Sequence, residues 1–157
     1  MLTLISADGF TKTLYALLEE TFEKVDGIYL DGGASLLDSF SGLSADEASR
    51  PIVPGGTSIV GQVRHVRFYL RILSDYMNGQ RHDKIDWKGS WQPSTADEGE
   101  WAELRSGLAE DYQELRDRFE HVTDWNDERR LGGALAIVAH TAYHLGAIRQ
   151  IARVIQR

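Results

Sequence analysis

Two histidines, His140 and His144, lie within the apolar stretch of residues 132–156. Residues four apart are neighbours on one face of an α-helix, about 6 Å apart along its axis. Two imidazoles placed in this way can bind one metal ion, provided that a third ligand comes from elsewhere in the fold. The alternative is that they are core residues whose ring nitrogens bond to nearby polar groups. The spacing of the pair leaves both interpretations open.

A third histidine, His65, lies in another helical segment with a strong apolar stripe. All three histidines fall near the middle of their predicted helices, so they could converge in the interior of a bundle. Three neutral imidazoles leave coordination positions for water or substrate, which is typical of a catalytic site rather than a structural one. His82 lies in a polar loop and His121 ends a helix, so we expect both at the surface.

Composition restricts the chemistry further. The 157-residue chain contains no cysteine, so a metal must take nitrogen or oxygen ligands, and cysteine nucleophiles are excluded. The pattern His140-Thr-Ala-Tyr-His144 lacks the glutamate of the H-E-x-x-H proteases. The net charge of −7 disfavours nucleic acid and anionic membranes as partners. The first twelve residues do not resemble a secretory signal, and we find no stretch typical of a membrane span, so we expect a cytoplasmic protein.

Apolar residues at helical spacing predict four long helices that position these side chains. The first begins at Ser6 or Asp8 and ends near residues 26–27, and the second begins at Thr57 or Ser58 and ends near residues 78–79. The third follows a capping box at residues 95–98 and the fourth runs from about residue 131 to the end of the chain. The fourth is apolar nearly all round and should be the most buried.

The connections between these helices predict the topology. A long connection of nearly thirty residues runs from Asp26-Gly27 to Pro54-Gly55-Gly56 and contains a short helix capped by Ser44 and Glu47. A second long connection carries Trp87 and Trp91, which should anchor it on helix ends or on a pocket rim. The last connection is short, so we expect the third and fourth helices to be antiparallel neighbours. The sequence therefore predicts one all-α domain over residues 1–157, a four-helix bundle with long crossover connections.

The chain resembles the DinB-like (damage-inducible) superfamily of small four-helix bundles. The resemblance rests on His65 in GQVRHVRFYL, on the H-x-x-x-H-x-G pattern of His140, His144 and Gly146, and on the order of elements over the whole chain. It implies a divalent metal ion, most often nickel or zinc, bound by His65, His140 and His144 and by water. Thr141, Leu145 and Ala147 stand where many members have other residues, so the resemblance implies these ligands but no particular substrate.

Relatives of this kind include thiol-dependent transferases and mycothiol-dependent isomerases. The resemblance thus implies transfer of a low-molecular-weight thiol to a small electrophile, or a thiol-assisted isomerisation, with no catalytic residue assigned. Tyr69 and Tyr143 could bond to a substrate, although we favour core positions for both, and Trp87 or Trp91 could close over the site. The alternative is a non-catalytic binding or stress-response module, which could be a homodimer because bundles of this size often pair through an exposed helix face.

Overall fold

The computed structural model describes residues 5–157, and residues 1–4 of the predicted domain lie outside that range. The described residues form five α-helices and no strand: α1 (Ala7–Phe22), α2 (Ala45–Ser49), α3 (Ile59–Met77), α4 (Glu98–Glu120) and α5 (Glu128–Ile155). Two short 3₁₀ turns, Asp38–Phe40 and Gly89–Trp91, lie in the long connections. The prediction of an all-α bundle is confirmed, with four long helices and the short α2.

Local sequence signals determine most of the helix starts. The side chains of Ser6 and Ser58 accept hydrogen bonds from the first turns of α1 and α3, and Ser44 forms the predicted capping box with Glu47 at α2. The capping box predicted at residues 95–98 is wrong, because the same pattern recurs two residues later. Asp97 and Glu100 form the box of α4. Glu98 instead accepts a hydrogen bond from the backbone N–H of Ala45, which ties α4 to α2.

The first helix ends four residues earlier than the sequence predicts. The carboxylate of Glu20 accepts hydrogen bonds from four successive backbone N–H groups, those of residues 26–29. This carboxylate therefore organises the turn of residues 26–29, a few residues after Phe22, the last residue of α1. Burial opposes ionisation of Glu20, but the four N–H donors outweigh it and hold the pKa of this carboxyl below its ordinary value.

The four long helices pack around a square. Helix α3 packs against α5 and α4, and α1 packs against the same two helices, so that α1 and α3 lie on one diagonal and α4 and α5 on the other. The prediction that the last two helices are neighbours is therefore wrong. The link of residues 121–127 spans the diagonal over the start of α1, where Trp125 packs against Phe10 at 4.8 Å and donates a hydrogen bond to Thr11. Seven extended residues reach about 23 Å, which is enough for this crossing.

The second long connection is the predicted crossover. Gly61, at the start of α3, lies beside Trp91 and Ser94, which come shortly before α4. At the other end, Met77 of α3 lines a small cavity with Phe119 from the end of α4. Helices α3 and α4 therefore run parallel, and residues 78–97 return along the length of the bundle between them.

Helix α5 is less buried than the sequence predicts. Nine of its 28 residues are buried, whereas α3 buries nine of 19. Leu135 and Tyr143 are 49% and 73% exposed, on an outer face that also carries Gly132, Ala139 and Gly146. The core is built from all four long helices together with residues of the first connection, such as Leu36 and Phe40.

By length and composition, α5 could also cross a membrane, contrary to the prediction that no such stretch exists. Its most apolar window of 18 residues has a mean hydropathy of 1.3, and 39% of that window is buried in the bundle. The core helices of water-soluble proteins commonly share this composition. Because α5 packs against α1 and α3, the observation is weak evidence for a span.

Candidate metal centre

The three histidines meet at the contact between α3 and α5. His65 projects from α3, and His140 and His144 project from consecutive turns of α5. The Nε2 atom of His140 lies 3.2 Å from Nε2 of His65 and 3.0 Å from Nε2 of His144. One nitrogen of each ring lies within 4.8 Å of the other two. The structure therefore brings together the three side chains that the sequence singled out.

The separations of these nitrogens fit one ion. Two ligands at about 2.1 Å from a metal and at right angles to each other are about 3.0 Å apart. The observed 3.0 and 3.2 Å agree with neighbouring positions in such a coordination shell. Among the residues described, no aspartate or glutamate joins this group. The cluster thus offers three nitrogen donors and leaves the remaining positions open.

A hydrogen bond to Ser90 determines which nitrogen of His65 carries its proton. The hydroxyl of Ser90 donates to the backbone carbonyl of Trp87 at 2.7 Å, so its single proton is already used. Nδ1 of His65, 2.6 Å from the same hydroxyl oxygen, must therefore be the donor in that bond. As a result, Nε2 of His65 presents its lone pair to the other two histidines.

Gln62 orients His144 in the same way. The amide Nε2 of Gln62 donates to the hydroxyl of Thr57 at 2.7 Å, and its carbonyl oxygen lies 2.6 Å from Nδ1 of His144. A carbonyl oxygen only accepts, so Nδ1 of His144 donates and Nε2 keeps its lone pair. Hydrogen bonds of this type commonly fix the ring orientation of metal-binding histidines.

Without a cation, the three Nε2 atoms cannot all form hydrogen bonds with one another. Lone pairs on Nε2 of His65 and His144 both face Nε2 of His140, which can carry at most one proton. Protonation does not resolve the conflict, because burial holds the pKa of His65 below its ordinary value. Burial, with a contribution from His65, lowers the pKa of His140 to about 4. At neutral pH the rings are uncharged, which is the state that binds metal.

Burial likewise lowers the pKa of His144 to about 3, with smaller contributions from its two histidine neighbours. His144 is 1% exposed and His65 is 6% exposed, whereas His140 is only half-buried. The cluster is therefore accessible on the side of His140.

Aromatic rings surround the cluster and fix the rings of its histidines. Trp91 stacks on His65 with ring centroids 4.0 Å apart, and Tyr69 stacks on His140 at 3.5 Å. Trp87 contacts both His65 and Tyr69 and is 40% exposed. The sequence left two anchoring points open for the tryptophan loop, the helix ends or a pocket rim, and these contacts place the loop against the histidine cluster.

Tyr69 and Tyr143, the two tyrosines near the histidines, differ in how deeply they are buried. Tyr69 is half-buried, and burial raises the pKa of its hydroxyl, which keeps it protonated at neutral pH. Tyr143 packs edge-on against His144 but is 73% exposed, so the core position that we favoured for it is wrong. The helical spacing placed Tyr143 beside the histidines without showing that its side of α5 faces outward.

The other two histidines lie on the surface, as predicted. His82 is exposed and its Nε2 lies 2.9 Å from a carboxylate oxygen of Asp75. His121 follows the last residue of α4 and bonds through Nδ1 to the backbone carbonyl of Asp117. Neither belongs to the cluster.

Sequence reasoning missed Ser90 and Gln62. Gln62 could have been found, because it lies three residues before His65 on the same helical face. Ser90 could not, since it lies in a connection 25 residues from His65 along the chain and reaches that ring only through the fold.

Comparison with models of protein families shows which family this chain belongs to. The family model of the DinB superfamily matches residues 30–148, which include all three histidines of the cluster. The chain belongs to the DinB superfamily. Searches of curated proteins and of solved structures found no significant match. DinB-like proteins bind metal ions, and the three-histidine cluster of this member could bind one.

Proposed function

We propose that this DinB-superfamily protein is a divalent-metal-dependent enzyme whose ion, nickel or zinc, is bound by His65, His140 and His144. The observation that carries the proposal is the convergence of three Nε2 atoms, two of them with their lone pairs directed by Ser90 and Gln62. A divalent ion bound by three uncharged imidazoles keeps its full positive charge and lowers the pKa of a bound water or thiol.

The reaction class that we propose is transfer of a low-molecular-weight thiol to a small electrophile, or a thiol-assisted isomerisation. Family membership supports this class. The chain itself supplies an aromatic wall beside the cluster, formed by Tyr69, which stacks on His140, and Trp87, which packs against Tyr69. The neutral hydroxyl of Tyr69 can donate a hydrogen bond to a substrate. No carboxylate of the described residues lies in the cluster to act as a general base.

The alternative is a non-catalytic binding module that pairs as a homodimer. The apolar residues exposed on the outer face of α5, Leu135, Tyr143 and Val154, favour this reading, since such a face could pack against a second copy. In this alternative the histidines bind metal weakly or not at all.

Elemental analysis of protein purified without a histidine tag separates the two functions. We expect about one equivalent of nickel or zinc, lost in His140→Ala and retained in the matched control His121→Ala, whose histidine lies outside the cluster. Protein without stoichiometric metal, or metal retained in His140→Ala, would contradict the enzyme proposal. If metal is present, a screen of thiols with small electrophiles tests catalysis, and metal without turnover in any of them favours the binding module.

A further inference from the structure

A row of three arginines lies along one face of α3. This face is turned toward α4 and not toward the histidine cluster. Arg64, Arg67 and Arg71 are spaced three and four residues apart, so they share one side of the helix. All three line a surface cavity of about 360 Å³ between α3, α4 and the Gly89–Trp91 turn. This concentration of positive charge stands out in a chain whose net charge is −7.

Two of these arginines are already paired. Nε of Arg67 donates to Asp111 at 2.6 Å, and Arg71 donates to the other oxygen of the same carboxylate at 3.1 and 3.3 Å. The guanidinium of Arg67 lies against Gly107 of α4, where any larger residue would collide with it. One carboxylate, only 10% exposed, therefore pairs with two guanidinium groups at the wall of the cavity.

Arg64 has no such partner. Within residues 5–157, no carboxylate forms an ion pair with it, and its Nε is buried without a hydrogen-bond acceptor. Asp86 also lines the cavity, but one of its oxygens caps the Gly89–Trp91 turn by accepting from the backbone N–H of Gly89. Three arginines against Asp86 and Asp111 leave one positive charge in excess. No ion pair within residues 5–157 neutralises the Arg64 guanidinium, and this side chain lines the cavity, so its charge is available to an anion there.

We propose that this cavity binds a small organic anion through a carboxylate or phosphate group held by Arg64. Guanidinium groups pair well with both kinds of anion. Phe68 and Leu104 supply an apolar wall, which favours an anion that also carries an apolar part. The site is distinct from the metal centre and does not depend on the proposed reaction. Ser90 lies in the lining and also bonds to His65, so it adjoins both sites.

Titration of metal-free, ¹⁵N-labelled protein followed by amide chemical shifts tests the proposal. The probes are benzoate, phenyl phosphate and neutral benzamide. We expect saturable shifts centred on residues 64–71 and 89–92 with benzoate, with phenyl phosphate or with both, and no binding of benzamide. The relative affinities of the two anions show which headgroup the cavity prefers. Removing the metal keeps the carboxylate from binding an ion at the histidines.

The variant Arg64→Gln should weaken binding of the preferred anion by about tenfold or more, the loss expected for a charge-assisted hydrogen bond. The matched control Arg153→Gln, on the exposed end of α5, should bind like the unmodified protein. If Arg64→Gln does not fold, Arg64→Met replaces it, because methionine keeps an unbranched apolar stem in the partly buried position and removes the charge. Failure of both anions to saturate, equal binding of benzamide, or unchanged affinity in the folded variant would show that the cavity holds only solvent.

Discussion

At the scale of single residues, the site depends on side chains that contact the histidines as much as on the histidines themselves. The spacing of His140 and His144 allowed two interpretations, a shared metal ion or a pair of core residues. His65 could be predicted as the third ligand because it lies in the middle of another predicted helix. Their orientation was beyond the sequence. Helical spacing places Gln62 beside His65, but it does not show that Gln62 bonds to His144 or that Ser90 bonds to His65. A hydrogen bond between residues 25 or 82 positions apart leaves no periodic trace in a chain.

The role of Ser90 yields a first residue-scale prediction. In Ser90→Ala, Nδ1 of His65 loses its acceptor, so the ring is free to turn and to change tautomer. We expect metal affinity, measured by competition with a chromogenic chelator, to fall roughly 10- to 100-fold. Ser106→Ala, at an exposed position of α4, should leave the affinity unchanged. Equal metal affinities in the two variants would show that Ser90 does not help His65 to bind the ion.

The low pKa values of the histidines predict how the metal-free protein responds to acid. In the folded state the pKa of His140 is about 4 and that of His144 about 3, whereas both are near 6.5 in the unfolded chain. Between these values the unfolded chain binds more protons than the folded protein. The free energy of unfolding should therefore decrease as the pH falls from about 7 to 5.

Urea unfolding of the metal-free protein across this pH range measures the effect. In His140→Ala the dependence on pH should be weaker, because one group that is protonated more readily in the unfolded chain has been removed. A free energy of unfolding that stays constant from pH 7 to 5 would mean that the three rings are protonated as readily in the folded protein as in the unfolded chain.

At the scale of elements, helix caps and apolar stripes predicted the long helices to within a few residues. What they could not predict was which faces of α5 meet other helices. Its apolar residues occur nearly all round, so the pattern does not distinguish Ile137, which is buried, from Leu135, which is 49% exposed. The start of α4 was misplaced because two overlapping capping boxes fit the same stretch, and only contact with α2 decides between them.

The close approach of the second connection to α3 gives an element-scale prediction. A Cβ at Gly61 would lie 3.2 Å from the backbone oxygen of Trp91, so alanine there must displace the loop that carries Trp91 and Ser90. At Gly132, on the exposed face of α5, the same Cβ meets open space. We expect Gly132→Ala to raise the free energy of unfolding by about 0.5–1 kcal/mol through helix propensity. We expect Gly61→Ala to lower the free energy of unfolding instead.

Urea unfolding of the two variants measures the difference. A stabilisation of Gly61→Ala equal to that of Gly132→Ala would show that the loop does not press on α3 at this point. In that case Trp91 and Ser90 would not be held against His65 by this contact.

At the scale of the whole molecule, the sequence predicted the fold class and the crossover but not the order of helices around the bundle. The length of a link limits how far two helices can be apart, yet seven residues reach both a neighbour and a diagonal position. Trp125 favours the diagonal, because it packs between Phe10 of α1 and Phe119 of α4. The resulting arrangement places α3 beside α5, which is the contact that brings the three histidines together.

X-ray absorption at the metal edge, on protein loaded with one equivalent of nickel or zinc, tests whether His65, His140 and His144 bind the ion together. We expect three imidazole rings bound through nitrogen at about 2.0–2.1 Å, with oxygen in the remaining positions. In His65→Ala the number of rings should fall to two. A coordination shell of oxygen alone, or one that is the same in the unmodified protein and in His65→Ala, would contradict the three-histidine site.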